Sequence, residues 1–125
     1  MTQQEKDKLL KYLCAALPYD VFMTNKEYPQ THYPFTWREV HDLMYEEDFD
    51  DVPYLRPMSS MTKEELKEFY AIEDIHSPVI WNKPQTNWRF SIKGIVGLLE
   101  NHFDFIGLIN EGIAIDCTDL NIYKD

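Results

Sequence analysis

The chain has 125 residues, with 22 acidic and 12 basic side chains and a formal net charge of −10 at pH 7. The length suits a single domain spanning residues 1–125, and a hydrophobic content of 44% argues against intrinsic disorder. An acidic chain is repelled by phosphate backbones and anionic lipids, which disfavours direct nucleic-acid or membrane binding. The charged N-terminus lacks an apolar signal core, so we expect a cytoplasmic protein.

Four helix starts are marked by capping residues, which satisfy backbone donors at the first turn. Three are Ser/Thr-x-x-Glu capping boxes and the fourth is a single capping serine. The boxes are Thr2–Glu5, Thr36–Glu39 and Thr62–Glu65, and the serine is Ser91. The apolar spacing after these starts predicts helices over residues 2–17, 36–46, 62–72 and 91–103.

Two of these helices carry residues whose placement bears on function. In the first, Leu9, Leu13 and Cys14 share the apolar side, which predicts a buried, reduced Cys14; Cys117 is expected to be buried in a strand. In the second, Trp37, Val40, Met44 and Tyr45 are expected to share a face. The acidic run at 46–51 is unfavourable at a helix C-terminus, so this helix should fray there.

Short β-favouring segments lie between the helices. Strands are predicted at 20–24 and 113–118, and residues 79–90 read as a hairpin or an ordered loop. Residues 25–35 read as an irregular loop broken by two prolines, and Pro53–Pro57 reads as an extended connector. Together these elements predict an α+β fold with a small antiparallel sheet.

Glycines at 94 and 97 interrupt the fourth helix. Because glycine weakens a helix interior, their presence predicts that another backbone approaches closely or that the helix is marginal.

Two sequence blocks, PYLRPMSSMTKEE at residues 53–65 and NHFDFIGLI at residues 101–109, resemble a family of small uncharacterised proteins. Phages and integrated mobile elements of gut bacteria encode that family. Together with the opening helix and the strand after Gly112, the resemblance covers about half of the chain. It implies a phage or mobile-element origin and supplies no activity, cofactor or catalytic residue. Residues 28–37 depart from the family pattern.

The usual motifs of cofactor and metal sites are missing from the sequence. Four scattered glycines cannot form a phosphate-cradling loop, and no Cys-x-x-Cys or His-Glu-x-x-His spacing occurs. The acidic run at 46–51 lacks the pattern of a calcium-binding loop, so a solvated acidic turn is expected, with weak divalent-cation binding as the alternative. We therefore expect no cofactor and no metal.

Three polar groups are nevertheless candidates for chemistry. His102 is expected to cap a helix C-terminus as a cation, and Asp104 to accept a turn hydrogen bond. The alternative is a small enzyme in which His102 and Asp104 line one cleft. Arg56 is expected to pair with an acid, or alternatively to bind an anionic ligand.

An aromatic segment broken by prolines is the most distinctive candidate for a contact surface. Tyr28, Tyr33 and Trp37 are expected either to form such a surface or to cover the core. A charged rim would come from Glu46, Glu47 and Asp48.

The sequence therefore favours a non-catalytic accessory or interaction domain with a protein partner. An acidic inhibitor that mimics nucleic acid against a basic enzyme is the first alternative, and the small enzyme is the second. A histidine, a thiol and a carboxylate gathered around an enclosed pocket would contradict the non-catalytic interpretation.

Overall fold

A computed structural model describes residues 1–75, 90–120, 122 and 123. Within these residues the fold is α+β, as predicted, with four α-helices and a mostly antiparallel five-stranded sheet. The helices are α1 (Gln3–Ala16), α2 (Trp37–Tyr45), α3 (Lys63–Glu73) and α4 (Ile92–Glu100). The strands are β1 (Phe22–Asn25), β2 (Tyr28–Pro34), β3 (Asp51–Pro57), β4 (Phe103–Asp104) and β5 (Ile115–Asp116). The hairpin or loop predicted at 79–90 lies outside the described residues apart from Phe90.

The predicted helix starts are confirmed. At α1 the Thr2 hydroxyl accepts from the Glu5 N–H at 3.1 Å, and the Glu5 carboxylate accepts from the Thr2 N–H at 2.8 Å. The capping box of α3 has the same form, and at α4 the Ser91 hydroxyl accepts from the Gly94 N–H at 3.0 Å. These contacts are local, so a short stretch of sequence is enough to specify them.

The predicted burial of Cys14 is wrong, because its side chain is exposed. The buried face of α1 consists of Leu9, Tyr12, Leu13 and Ala16. At about 100° per residue, Cys14 lies roughly 140° from Leu9 around the helix, beyond the edge of that face. Cys117 is buried, as expected, but it directly follows β5 and does not lie within the strand.

Strand β3 connects the sheet, since three strands pair with it. It pairs antiparallel with β1 over residues 51–53, and parallel with β5 at residues 54–55 and with β4 at residues 56–57. The segment Pro53–Pro57 is thus part of a strand and not a connector. Its pairing depends on segments distant in sequence, which local propensity does not reveal.

The irregular loop predicted at residues 25–35 is also wrong, because Tyr28–Pro34 forms β2 and pairs antiparallel with β1. Among the described residues β2 pairs with β1 alone, and at such a sheet edge a proline removes no necessary donor. The residue after Pro34 points toward the neighbouring strand, because the Phe35 N–H donates to the carbonyl of Val21, just before β1, at 2.7 Å.

The helix predicted over 91–103 ends earlier, at Glu100. His102 has a φ of 62°, a left-handed conformation that turns the chain out of the helix. Phe103 then enters β4 opposite Arg56. The apolar spacing that included Phe103 continued across this turn by coincidence.

The prediction of a close backbone approach at Gly94 and Gly97 is also corrected. A Cβ atom at Gly94 would overlap the carboxylate of Glu73, a side-chain group, while nothing lies within 4 Å of one at Gly97. Glu73 accepts from the Ser91 N–H at 2.8 Å, so the last residue of α3 helps to cap α4.

Candidate functional site

Two surface regions concentrate polar or aromatic side chains. The first is a cleft of about 520 Å³ where β3 ends, lined by Arg56, Glu65, His102, Cys117 and Tyr123 among others. We call these five residues the central pocket. It joins a histidine, a thiol and a carboxylate, which is the combination that would contradict a non-catalytic interpretation if the groups were reactive. Whether these groups are reactive depends on the contacts that each of them makes within the chain.

The charged groups of the central pocket neutralise each other. Arg56 donates to both carboxylate oxygens of Glu65, at 2.9 and 2.7 Å, and its guanidinium lies 4.2 Å from the centre of the Phe103 ring. The hydrogen bonds from Arg56 lower the pKa of the Glu65 carboxyl below its usual value. The expected pairing of Arg56 with an acid is therefore confirmed, and the two guanidinium donors that would hold an anion in the bidentate manner are already bound to Glu65.

His102 is held in place by two contacts. Its Nε2 lies 2.7 Å from the carbonyl oxygen of Tyr19, and because a carbonyl only accepts, this nitrogen carries the proton. Its ring stacks on Tyr123 with the ring centres 3.6 Å apart. Burial lowers the pKa of His102, which favours the neutral ring. The predicted capping of α4 by a cationic His102 is corrected, because its Nε2 contacts Tyr19, which lies outside that helix, and burial disfavours the charged ring.

Cys117 does not have the properties of a nucleophile. Burial raises the pKa of its thiol to about 11, so the thiolate that would attack a substrate is scarce at neutral pH.

Asp104 lies outside the central pocket and accepts from the N–H groups of Leu108 and Ile109, each at 2.8 Å. The predicted turn hydrogen bond is confirmed. His102 and Asp104, the pair required by the enzyme hypothesis, do not share this cleft.

The second region is the outer surface of α2. The helix buries Val40 and Leu43 against the core. Three large apolar side chains on it remain exposed, namely Trp37 (72%), Met44 (54%) and Tyr45 (69%). The expectation that Val40 shares their face is wrong. Val40 lies with Leu43 on the inner side, and the other three follow the outer side.

His41 completes this row, since its ring centre lies 4.7 Å from that of Tyr45. We call Trp37, His41, Met44 and Tyr45 the aromatic stripe. At about 100° per residue these four positions fall within roughly 100° of one another around the helix. They form one continuous surface about 12 Å long, at 1.5 Å per residue.

A depression of about 430 Å³ lies on the other side of α2. Six carboxylates line it, and we call them the acidic basin: Glu39, Asp42, Glu46, Asp48, Asp50 and Asp51. The Tyr33 hydroxyl donates to Asp51, and the Asn25 amide donates to Asp50 and Asp51 at 2.9 Å each. The acids at the inner end are thereby fixed, whereas Glu46 and Asp48 are exposed.

The acidic end of α2 is stabilised from a neighbouring helix. The Lys6 ammonium donates to the carbonyl oxygens of Glu46 and Glu47, at 2.7 and 3.0 Å. A cation at a helix C-terminus offsets the unfavourable acidic run. The helix ends at Tyr45, close to the predicted end.

The structure separates some of the predicted contact residues. Tyr28 is 64% exposed at the first residue of β2, while Trp37 follows the other end of that strand. A strand of this length spans about 20 Å, so the two rings are well apart. Tyr33 is half-buried in the wall of the basin, and Glu46, Glu47 and Asp48 are exposed beside α2.

Sequence reasoning found Trp37 and the acidic rim, and it placed Met44 and Tyr45 on the same helix face as Trp37, but it left His41, Glu39 and Asp42 out of the candidate site. The missed signal was helical spacing: His41 lies four residues from both Trp37 and Tyr45, and Glu39, Asp42 and Glu46 follow one another at intervals of three and four. Residues at intervals of three and four share a helix face.

No family model, curated protein or solved structure matches this chain. Within the described part of the chain, no group of three or more histidine, cysteine or acidic side chains is arranged to hold a metal ion. Over the same residues, no helix has the length and apolar character to cross a membrane.

Proposed function

We propose that this protein is a non-catalytic interaction domain that binds a protein partner through the outer surface of α2. We further propose, from the sequence resemblance, that it acts in the cytoplasm as an accessory protein of a phage or mobile element. One observation carries the proposal of a binding surface. Trp37 and Tyr45 expose about seven-tenths of their surface on the same side of one helix.

The contrast with four rings of the core supports this proposal. Tyr12, Phe35, Phe49 and Phe103 are all buried in the core. Tryptophan and tyrosine supply much of the binding energy in protein interfaces, since they bury a large area at little entropic cost. A row of such rings on a regular helix is therefore better suited to binding than to stability.

An acidic inhibitor of a basic nucleic-acid enzyme is a second candidate. The exposed carboxylates of Glu46, Glu47 and Asp48 favour it. Asp50 and Asp51 are tied to Asn25, which departs from a regular row of phosphate-like charges. If this candidate is correct, the partner will be such an enzyme, and DNA or RNA will compete with the protein for it.

Affinity recovery from host lysate, with matched variants, tests the interaction surface. We expect the double variant Trp37→Ser/Tyr45→Ser to lose the partner and to keep its free energy of unfolding within about 1 kcal/mol, since both side chains are exposed. Ile92→Ser is the control, because Ile92 is an apolar residue with 82% exposure on a different helix. Equal recovery of a partner by the unmodified protein, the double variant and Ile92→Ser would contradict the proposal.

A further inference from the structure

The aromatic stripe lies on α2, and the acidic basin borders the same helix through Glu39, Asp42 and the capping residue Glu46. We propose that the partner presents a basic amphipathic segment, with apolar side chains on the stripe and lysine or arginine side chains in the basin. This inference rests on the proposed function and adds the chemistry of the partner. The observation that supports this addition is the negative charge of the acidic basin, next to the aromatic stripe.

The geometry of α2 places both surfaces within reach of one segment. Around the helix, Tyr45 and Asp42 are about 60° apart, and Asp42, Glu46 and Glu39 then follow within roughly 60°. Along the axis, Glu39 and Glu46 are about 10 Å apart. A partner helix of about three turns lying over Tyr45 and Asp42 would contact the adjoining edges of both surfaces, with apolar and basic residues at intervals of three and four.

The balance of charge in the basin favours cations. Asp50 and Asp51 accept from Asn25 and Tyr33, and Glu39 accepts from the Thr36 N–H, all of which are neutral donors. The Nδ1 atom of His41 lies 3.9 Å from Asp42. Lys6 is occupied by backbone carbonyls at the end of α2. Arg38 is exposed at the first turn of α2, between the stripe and the acidic side, and one positive charge does not balance six negative ones. Opposite charge on the partner would raise the association rate and favour correct partners.

Charge also disfavours the other occupants of this surface. A second copy of the chain would bring the same carboxylates and a net charge of −10 to the interface. Nucleic acids and anionic membranes carry charge of the same sign as the basin and are repelled. A basic protein segment is the occupant that both the stripe and the basin fit.

The test uses the full chain and a short amphipathic peptide of leucine and lysine as the probe. Binding is measured by titration calorimetry at low and high ionic strength. We expect saturable binding that weakens as ionic strength rises from about 0.01 to 1 M, because the Debye length falls from about 30 to 3 Å. A matched peptide of leucine and glutamate should not bind.

Charge reversal in the basin separates this inference from the proposed function. The double variant Asp42→Lys/Glu46→Lys should bind the basic peptide about tenfold more weakly, since rim charge pairs contribute modestly. Glu64→Lys/Glu68→Lys on α3 is the control with the same change in net charge and should lose much less affinity.

Several outcomes would overturn this inference. These are equal loss in both charge-reversed variants, binding of the acidic peptide, binding of duplex DNA, or self-association that the Trp37→Ser/Tyr45→Ser variant abolishes. If the basic peptide fails but recovery of a lysate partner still requires Trp37 and Tyr45, the proposed function stands and this inference falls. If neither peptide binding nor recovery of a lysate partner requires Trp37 and Tyr45, the proposed function and this inference are both contradicted.

Discussion

The central pocket and the outer surface of α2 are both rich in polar and aromatic groups, yet they differ in how those groups are satisfied. In the pocket, Arg56 is paired with Glu65, and His102 is held between Tyr19 and Tyr123. On α2 the rings of Trp37 and Tyr45 are largely exposed. A group whose partners lie within the chain stabilises the fold, whereas a group without them is available to another molecule. By this criterion the groups of the pocket stabilise the fold, and the outer surface of α2 is the one that we propose to be functional.

The largest expected effect comes from breaking the ion pair of the pocket. Arg56→Ala should lower the free energy of unfolding by about 2 kcal/mol, because two charge-assisted hydrogen bonds are lost and Glu65 is left unpaired. The two side chains are about one quarter exposed, which keeps the loss below that of a fully buried pair. Urea denaturation measures it. Arg38→Ala on α2 is the control and should change stability by less than about 0.5 kcal/mol. Equal losses of unfolding free energy in Arg56→Ala and Arg38→Ala would contradict the distinction between the two regions.

Tyr123 provides a second comparison between a satisfied and an exposed side chain. Its hydroxyl accepts from the Phe22 N–H at 2.9 Å and donates to the Tyr54 carbonyl at 2.8 Å. It thus joins β1 to β3 just beyond their last paired residues. Tyr123→Phe should cost about 1–2 kcal/mol in thermal unfolding experiments, because two backbone groups lose their partner. Tyr45→Phe should cost almost nothing. An unchanged thermal stability in Tyr123→Phe would show that this contact does not stabilise the sheet.

The smallest effect concerns pH. The pKa of His102 is lowered in the folded state from an ordinary value of 6.5, so the unfolded chain binds a proton first as pH falls. The contribution of His102 to stability is therefore complete above about pH 6.5 and declines below it, by at most about 1.4 kcal/mol per pH unit. His102→Asn, which suits the positive φ, should flatten this decline in denaturation curves at pH 7 and pH 5.5. A profile of His102→Asn identical to that of the unmodified protein would contradict the assignment.

Local features of this fold were predictable from the sequence, and features that depend on distant pairing were not. The helix starts at Thr2, Thr62 and Ser91 followed from capping residues a few positions away. The strand character of residues 28–34 and 53–57 was missed, because prolines mark breaks locally while the hydrogen bonds of β2 and β3 come from elsewhere in the chain. The left-handed turn at His102 was missed for a similar reason, since Tyr19 and Tyr123 hold the ring.

The candidate site was predicted in part. The sequence identified Trp37 and the acids at 46–48, because aromatic and charged residues near prolines are conspicuous. It did not separate the inner from the outer side of α2. Trp37, Val40 and Met44 fit a helical interval equally well, and only packing against the core shows that Val40 is the buried one.

Mapping the binding site of the basic peptide by NMR tests the central claim most directly. Backbone amide shifts of the isotope-labelled protein would be followed during the titration at low salt. We predict that shift changes concentrate between Trp37 and Asp51, with little change around Arg56, Glu65 and His102. Changes centred on the central pocket, with α2 unaffected, would contradict the assignment of function to the outer surface of α2.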